Sequence, residues 1–146
     1  MTYSPELAKN YSQKREQFNE TDTVFVNALN EIGVKDKSII DLGCGDGRHA
    51  RLIKEMGATH VTGVDVSEKM IELAKEKTEN NPDVTFFVAD GRNLPLENES
   101  TDIVISNFVI HYFHDANEIF TEISRVLKVG GHFIGTFNIT DVDEGY

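Results

Sequence analysis

The sequence predicts a doubly wound α/β fold, a mostly parallel Rossmann-like sheet between two layers of helices. Three observations predict it. Short β-branched runs alternate with amphipathic stretches from Ser38 onward. A glycine-rich loop follows the first of those runs at once. The residues of unusual chemistry all fall where a run ends. Strands joined by single helices must run parallel, with right-handed crossovers that place helices on both faces.

Ser4-Pro5-Glu6 opens the chain's first helix with an N-cap residue, a proline at the first helical position and an acid in the first turn. A second helix carries Val24, Phe25, Ala28, Leu29 and Ile32 on one face, and Gly33 supplies its left-handed stop. Ile39-Ile40-Asp41-Leu42 reads as a short buried strand. The glycine loop from Gly43 to Gly47 follows, then a helix carrying Leu52, Ile53 and Met56 that ends at Gly57. Val61-Thr62-Gly63-Val64 is the next strand, closed by Asp65. Ser67 caps a helix with Met70, Ile71 and Ala74 on one face, which breaks at Asn80-Asn81-Pro82. Val84 to Val88 is a β-branched and aromatic strand ended by Asp90-Gly91. Beyond a loop through Pro95, Asp102 to Ser106 forms a fourth strand. Ile119, Phe120, Ile123, Val126 and Leu127 form the clearest amphipathic helix, which Gly130-Gly131 stops. His132 to Phe137 is the fifth strand.

A chain of 146 residues is one domain, expected to span 1–146, and no linker or repeat divides it. Fourteen basic against 25 acidic residues leave a net charge of −11, the wrong sign for a nucleic-acid backbone as partner. A single cysteine excludes an internal disulfide framework and a cysteine zinc site. No basic cluster followed by an apolar run marks a leader, and no apolar run approaches the ~20 residues of a membrane span. A cytoplasmic protein without a membrane partner is the expectation.

In doubly wound sheets ligands bind outside the carboxyl ends of the strands. The glycine loop, Asp65, Asp90-Gly91 and Ser106-Asn107 all fall there. Glycines let a ligand approach the backbone closely, and the helix behind the loop points free N–H groups at it. Asp65 follows Gly43 at about the 20-residue spacing of a ribose-binding carboxylate. The loop is not of the dinucleotide form, because its glycines alternate as Gly43-Cys44-Gly45-Asp46-Gly47 and Asp41 stands just before it. A carboxylate there repels a pyrophosphate and suits an ammonium group. Cys44 reads as a small buried filler.

On these residues the chain resembles the class I S-adenosylmethionine-dependent methyltransferases of small-molecule type. The motifs are Asp41-Leu42-Gly43-Cys44-Gly45-Asp46-Gly47, Asp65 and Asp90-Gly91, joined by the Lys128-Val129-Gly130-Gly131-His132-Phe133 turn and the Ala8-Lys9-Asn10-Tyr11 entry segment. The resemblance implies S-adenosyl-L-methionine as cofactor. It assigns Asp41 and the backbone of Gly43 to the methionine part, with Gly45 beside them, and Asp65 to the ribose hydroxyls. Val66 would belong to the same cofactor site, and Met70 would pack on the adenine face, with Asp90 accepting from the adenine amino group and the backbone of Gly91 alongside. Tyr11 would lie over the cofactor as part of a lid, the competing reading being a helix residue packed on the core. Asn107 would act mainly through its backbone near the methyl group. Bases of nucleic acids are disfavoured as acceptors, because the prolines that usually follow the Asn in such enzymes are missing. His111 would take the acceptor's proton, against the reading of a satisfied helix histidine. His111 and His114 lack further ligands in register, so no metal is expected.

The expected function is in-line methyl transfer to a small-molecule acceptor, by positioning rather than metal assistance. The alternative is a catalytically silent cofactor-binding module or partner subunit. The family's sheet continues past the fifth strand. The chain, which lacks those last strands, is therefore expected to be a fragment or to borrow its edge. A homodimer through the fifth-strand edge, with weak or no transfer by the isolated chain, follows from that expectation.

Overall fold

In the computed structural model, which describes residues 5–6, 20–107 and 116–136, nine elements follow from Glu20 onward. They are α1 (Glu20–Ile32), β1 (Ser38–Leu42), α2 (Arg48–Glu55), β2 (His60–Asp65), α3 (Glu68–Thr78), β3 (Val84–Val88), β4 (Thr101–Asn107), α4 (Ala116–Val126) and β5 (Leu127–Thr136). The five strands lie in the order β3-β2-β1-β4-β5, and every pair is parallel. The winding reverses between β1 and β4. In a doubly wound sheet the crevice lies at the carboxyl ends of the strands where the winding reverses, which is where the glycine loop after β1 stands.

The core has two layers because β1 sends its apolar side chains to both faces. Ile39 joins Phe25, Leu29 and Ile53 beneath α1 and α2. Ile40 and Leu42 join Val104, Ile119 and Ile123 beneath α4. Fully burying side chains of this size is worth ~1.5–3 kcal/mol each. On α1 the sequence places Val24 with the buried face, but it is 67% exposed while Phe25 and Leu29 are buried. The inward stripe instead runs through Asp22, Phe25 and Leu29, residues three and four apart. Gly33 closes this helix as expected, at φ 87°, with its N–H on Leu29 O at 2.8 Å. Ser67 caps α3 by accepting from the Met70 N–H at 3.2 Å.

The last helix and strand meet differently from expectation. α4 ends at Val126, and Leu127 already pairs with Thr101 as the first residue of β5. The register then jumps, with Ile103 opposite His132, so β5 bulges between these pairs. Gly130 and Gly131 serve that bulge rather than the helix end. Gly130 stands at φ 82°, and a Cβ on Gly131 would lie 2.9 Å from the Asp102 carbonyl oxygen. No described helix is long and apolar enough to cross a membrane.

Candidate active site

The glycine loop is shaped by its own backbone. Gly43, Gly45 and Gly47 stand at φ 76°, 55° and 82°, a region other residues enter only at a cost. The N–H groups of Gly43 and Cys44 both reach Val64 O, at 2.8 and 2.9 Å, which ties the loop to β2. Asp65, at the end of β2, holds the loop from the other side. Its Oδ2 accepts from the Gly45 N–H at 2.9 Å and its Oδ1 from the Ser67 N–H at 2.8 Å. Asp46 reaches outward to Lys77 Nζ at 3.1 Å, while its carbonyl accepts from Arg51 Nη1 at 2.7 Å.

Asp41 lies beneath this loop, 2% exposed, and its Oδ2 has no hydrogen-bond partner among the described residues. Burial, then the nearby charges of Asp65 and Asp46, push its carboxyl up to about 7. Burial also raises Asp65, though the Ser67 and Gly45 N–H groups oppose it. Three carboxyl groups around one loop make a site that suits a cation and repels an anion. The Cys44 thiol is pushed well up by burial and then by the same acids, so it is no nucleophile at neutral pH.

The other nominated residues surround the loop. Val66, 39% exposed, offers apolar surface beside Asp65, whereas Met70 is 1% exposed and packs inward behind it. Asp90 accepts from the Arg92 backbone N–H at 2.9 Å and from its guanidinium at 2.7–3.2 Å, which holds the carboxyl below its usual range. Gly91 lies so close to Leu42 that a Cβ would stand 3.0 Å from its Cδ1. The loop that follows is pinned to α4, with Leu94 N–H on Glu122 at 2.7 Å and Arg125 on the Leu96 carbonyl at 2.8 Å. Asn107, at the end of β4, accepts through Oδ1 from the Thr136 hydroxyl. Tyr11 and His111 lie outside the described residues.

Sequence reasoning missed three residues of the same crevice. Asp22, 1% exposed on α1, accepts from both Nη atoms of Arg48 at 2.9 and 2.5 Å. Its Oδ1 also lies 2.9 Å from His49 Nε2. Arg48 and His49 occupy the first turn of α2, directly behind Gly47. With Asn107 and residues 43–46 they line a cleft of about 60 Å³. One signal was legible: Asp22 is an acid on the apolar stripe of Phe25 and Leu29, and an acid there needs a buried partner.

The chain matches the family model of a methyltransferase domain over residues 40–135. The arsenite methyltransferase of Mus musculus is 40% identical over 108 residues, 64% of this chain and 28% of that protein. A demethylmenaquinone methyltransferase of Staphylococcus aureus is 38% identical over 106 residues, 70% of this chain and 44% of that protein. This chain therefore spans less than half the length of these two curated relatives. The crystal structure of an S-adenosylmethionine-dependent methyltransferase from Mesorhizobium loti superposes with a TM-score of 0.69 at 34% identity, covering 76% of this chain and 51% of the other. The reversed winding, the loop tied between β1 and β2 and the match across both place the chain in one family: it belongs to the methyltransferase-domain proteins, the class I S-adenosylmethionine-dependent methyltransferases.

Proposed function

We propose that this chain binds S-adenosyl-L-methionine over the glycine loop and directs its methyl group to a small-molecule acceptor, by positioning rather than through a metal. The observation that carries the reading is the buried Asp41 oxygen without a described partner, set among Asp46 and Asp65. A ligand suited to it must bring a donor and positive charge. S-adenosyl-L-methionine has both, in its ammonium group and its sulfonium, whereas a dinucleotide pyrophosphate would bring charge of the wrong sign.

When bound, the cofactor supplies a methyl group already activated by a positively charged sulfur. The chain's residues bind and orient. Asp41 and the backbone of Gly43 and Gly45 hold the amino-acid part. Asp65 keeps lone pairs for ribose hydroxyls, since each of its oxygens takes up one backbone N–H and can accept more than one bond. Val66 presents its exposed side chain to the adenine ring with Met70 packed behind it, while Asp90 and the backbone of Gly91 face the ring's polar edge. Asn107 faces the cleft from the end of β4, Tyr11 remains proposed as part of a lid, and His111 remains proposed to face the acceptor. Orientation of two reactants is worth ~7–11 kcal/mol of barrier, so it can supply most of what such a transfer needs. Both curated relatives are named for small acceptors, arsenite and a demethylated quinone, which supports that class of substrate.

Titration calorimetry tests the reading. S-adenosyl-L-methionine and S-adenosylhomocysteine should bind at a single site and NAD should not. Heat with NAD alone would refute it.

A further inference from the structure

The same crevice holds an ordered chain of polar side chains that shares only Asn107 with the cofactor residues proposed above. It runs from β5 through β4 and α2 to α1. The Thr136 hydroxyl donates to Asn107 Oδ1, which turns the Asn107 amide nitrogen toward His49 Nδ1, 3.5 Å away. His49 Nε2 lies 2.9 Å from Asp22 Oδ1. Arg48 Nη1 also lies 3.4 Å from Nε2, but its shorter bond, 2.9 Å, goes to Asp22 Oδ1. A carboxylate only accepts, so in the neutral ring Nε2 carries the proton and Nδ1 carries the lone pair. The Phe25 ring packs against the imidazole at 5.1 Å between centroids, tilted by 49°, which restrains its rotation. Asp22 faces the ring from α1 and Arg48 adjoins it on α2, with opposite charges. The loop adds Asp46, itself paired with Lys77.

On the reading that this chain is a methyltransferase, we propose that His49, oriented by Asp22, accepts the acceptor's proton during transfer. The acceptor's nucleophilic atom is therefore one that loses a proton in the reaction: a hydroxyl, a thiol, an N–H or an activated C–H. His49 lines the cleft. At 3.5 Å its Asn107 contact sits at the long limit of a hydrogen bond, and an incoming X–H group competes with that contact for Nδ1. In the step, a lone pair on X forms the X–C bond as the methyl C–S bond breaks, and the electron pair of that bond stays on sulfur. The X–H proton passes to His49 Nδ1. The resulting imidazolium keeps its Nε2–H on Asp22 and later gives the extra proton to water. Asp22 acts as a positioning residue, and the fork of Arg48 holds its carboxylate in place.

Two measurements on the 146-residue chain test this. In nitrogen-15 NMR with S-adenosylhomocysteine bound, His49 should show a protonated Nε2 and a bare Nδ1 at pH 8. The Asp22→Asn variant, whose amide can donate as well as accept, should populate both tautomers. A protonated Nδ1 in the unmodified protein, or no tautomer change in the variant, would overturn the proposal. The second measurement follows S-adenosylhomocysteine release with catechol, which bears O–H groups, and with trimethylamine, whose nitrogen bears no proton. His49→Gln should slow transfer to catechol at least 100-fold while leaving S-adenosylhomocysteine affinity within tenfold. Undiminished transfer by the variant, or transfer to trimethylamine alone, would overturn it. Where neither probe is methylated, the NMR result decides. Loss of S-adenosylhomocysteine binding by the unmodified chain would fault the function itself and not the role of His49.

Discussion

Asp41 shows how much one buried carboxyl can govern. Its carboxyl stands at about 7 in the fold against 3.8 when free. The folded chain therefore holds this proton more tightly than the unfolded one, and the stabilisation is fully present below pH 3.8 and lost as pH rises through 7. Ionising it in the fold costs roughly 4 kcal/mol by linkage. Asp41→Asn removes that cost, so the ligand-free variant should melt higher than the parent, by a margin that widens from pH 5 to pH 8 in scanning calorimetry. A cation favours the ionised form, so S-adenosyl-L-methionine affinity should rise through neutrality in the parent and lose that rise in the variant. Asp65 carries a different lesson. Its spacing to the glycine loop was legible, but its backbone contacts were not. In the structure it also holds the Gly45 and Ser67 N–H groups. Asp65→Ala should therefore lower unfolding stability by ~1–3 kcal/mol in urea, beyond the ~1.5–3 kcal/mol of lost cofactor affinity. Unchanged stability would mean that water replaces both bonds.

At the scale of elements, β2 and the glycine loop share one wall. A Cβ on Gly63 would stand 2.6 Å from Phe86 Cδ1 and 2.9 Å from Cys44 Sγ, and one on Gly47 would stand 2.7 Å from Phe86 Cζ. Phe86 thus presses on strand and loop together. Gly63→Ala should cost ~1–3 kcal/mol by overpacking. Combining it with Phe86→Leu should cost less than the two single changes added, a coupling that a double-mutant cycle reads directly. Periodicity had identified β2 and its Gly63, but only the cross-strand pairing of Gly63 with Phe86 explains why a glycine stands there. The same limit produced the error at β5. Leu127 continues the apolar spacing of α4, and nothing local distinguishes one more helical residue from the first residue of a strand. Its pairing with Thr101 settles the matter.

For the molecule as a whole, the sheet's two outer strands matter most. Among the described residues β5 pairs only with β4, and Val129 on it is 93% exposed. An outer strand is a template for another chain. We expect the protein to self-associate through β5 at high concentration. Its net charge of −11 opposes that contact, so added salt should strengthen it. Sedimentation at two ionic strengths checks this, with Val129→Lys expected to weaken the association. A species that stays monomeric at both would count against the edge.

Alternation of short apolar runs with amphipathic stretches was enough to specify the doubly wound class, because parallel strands must be buried on both faces and reached by crossovers. The alternating glycines, Asp41 and the spacing to Asp65 marked the cofactor half of the site, since those requirements act along a few neighbouring residues. Which partners those residues take was decided by the tertiary structure alone. The unpartnered oxygen of Asp41 depends on what burial removes. The chain of Asp22, His49, Asn107 and Thr136 joins four elements drawn from opposite ends of the sequence. Hydrogen bonds between such distant residues leave no local period to read, and they exist only once the sheet brings the elements together.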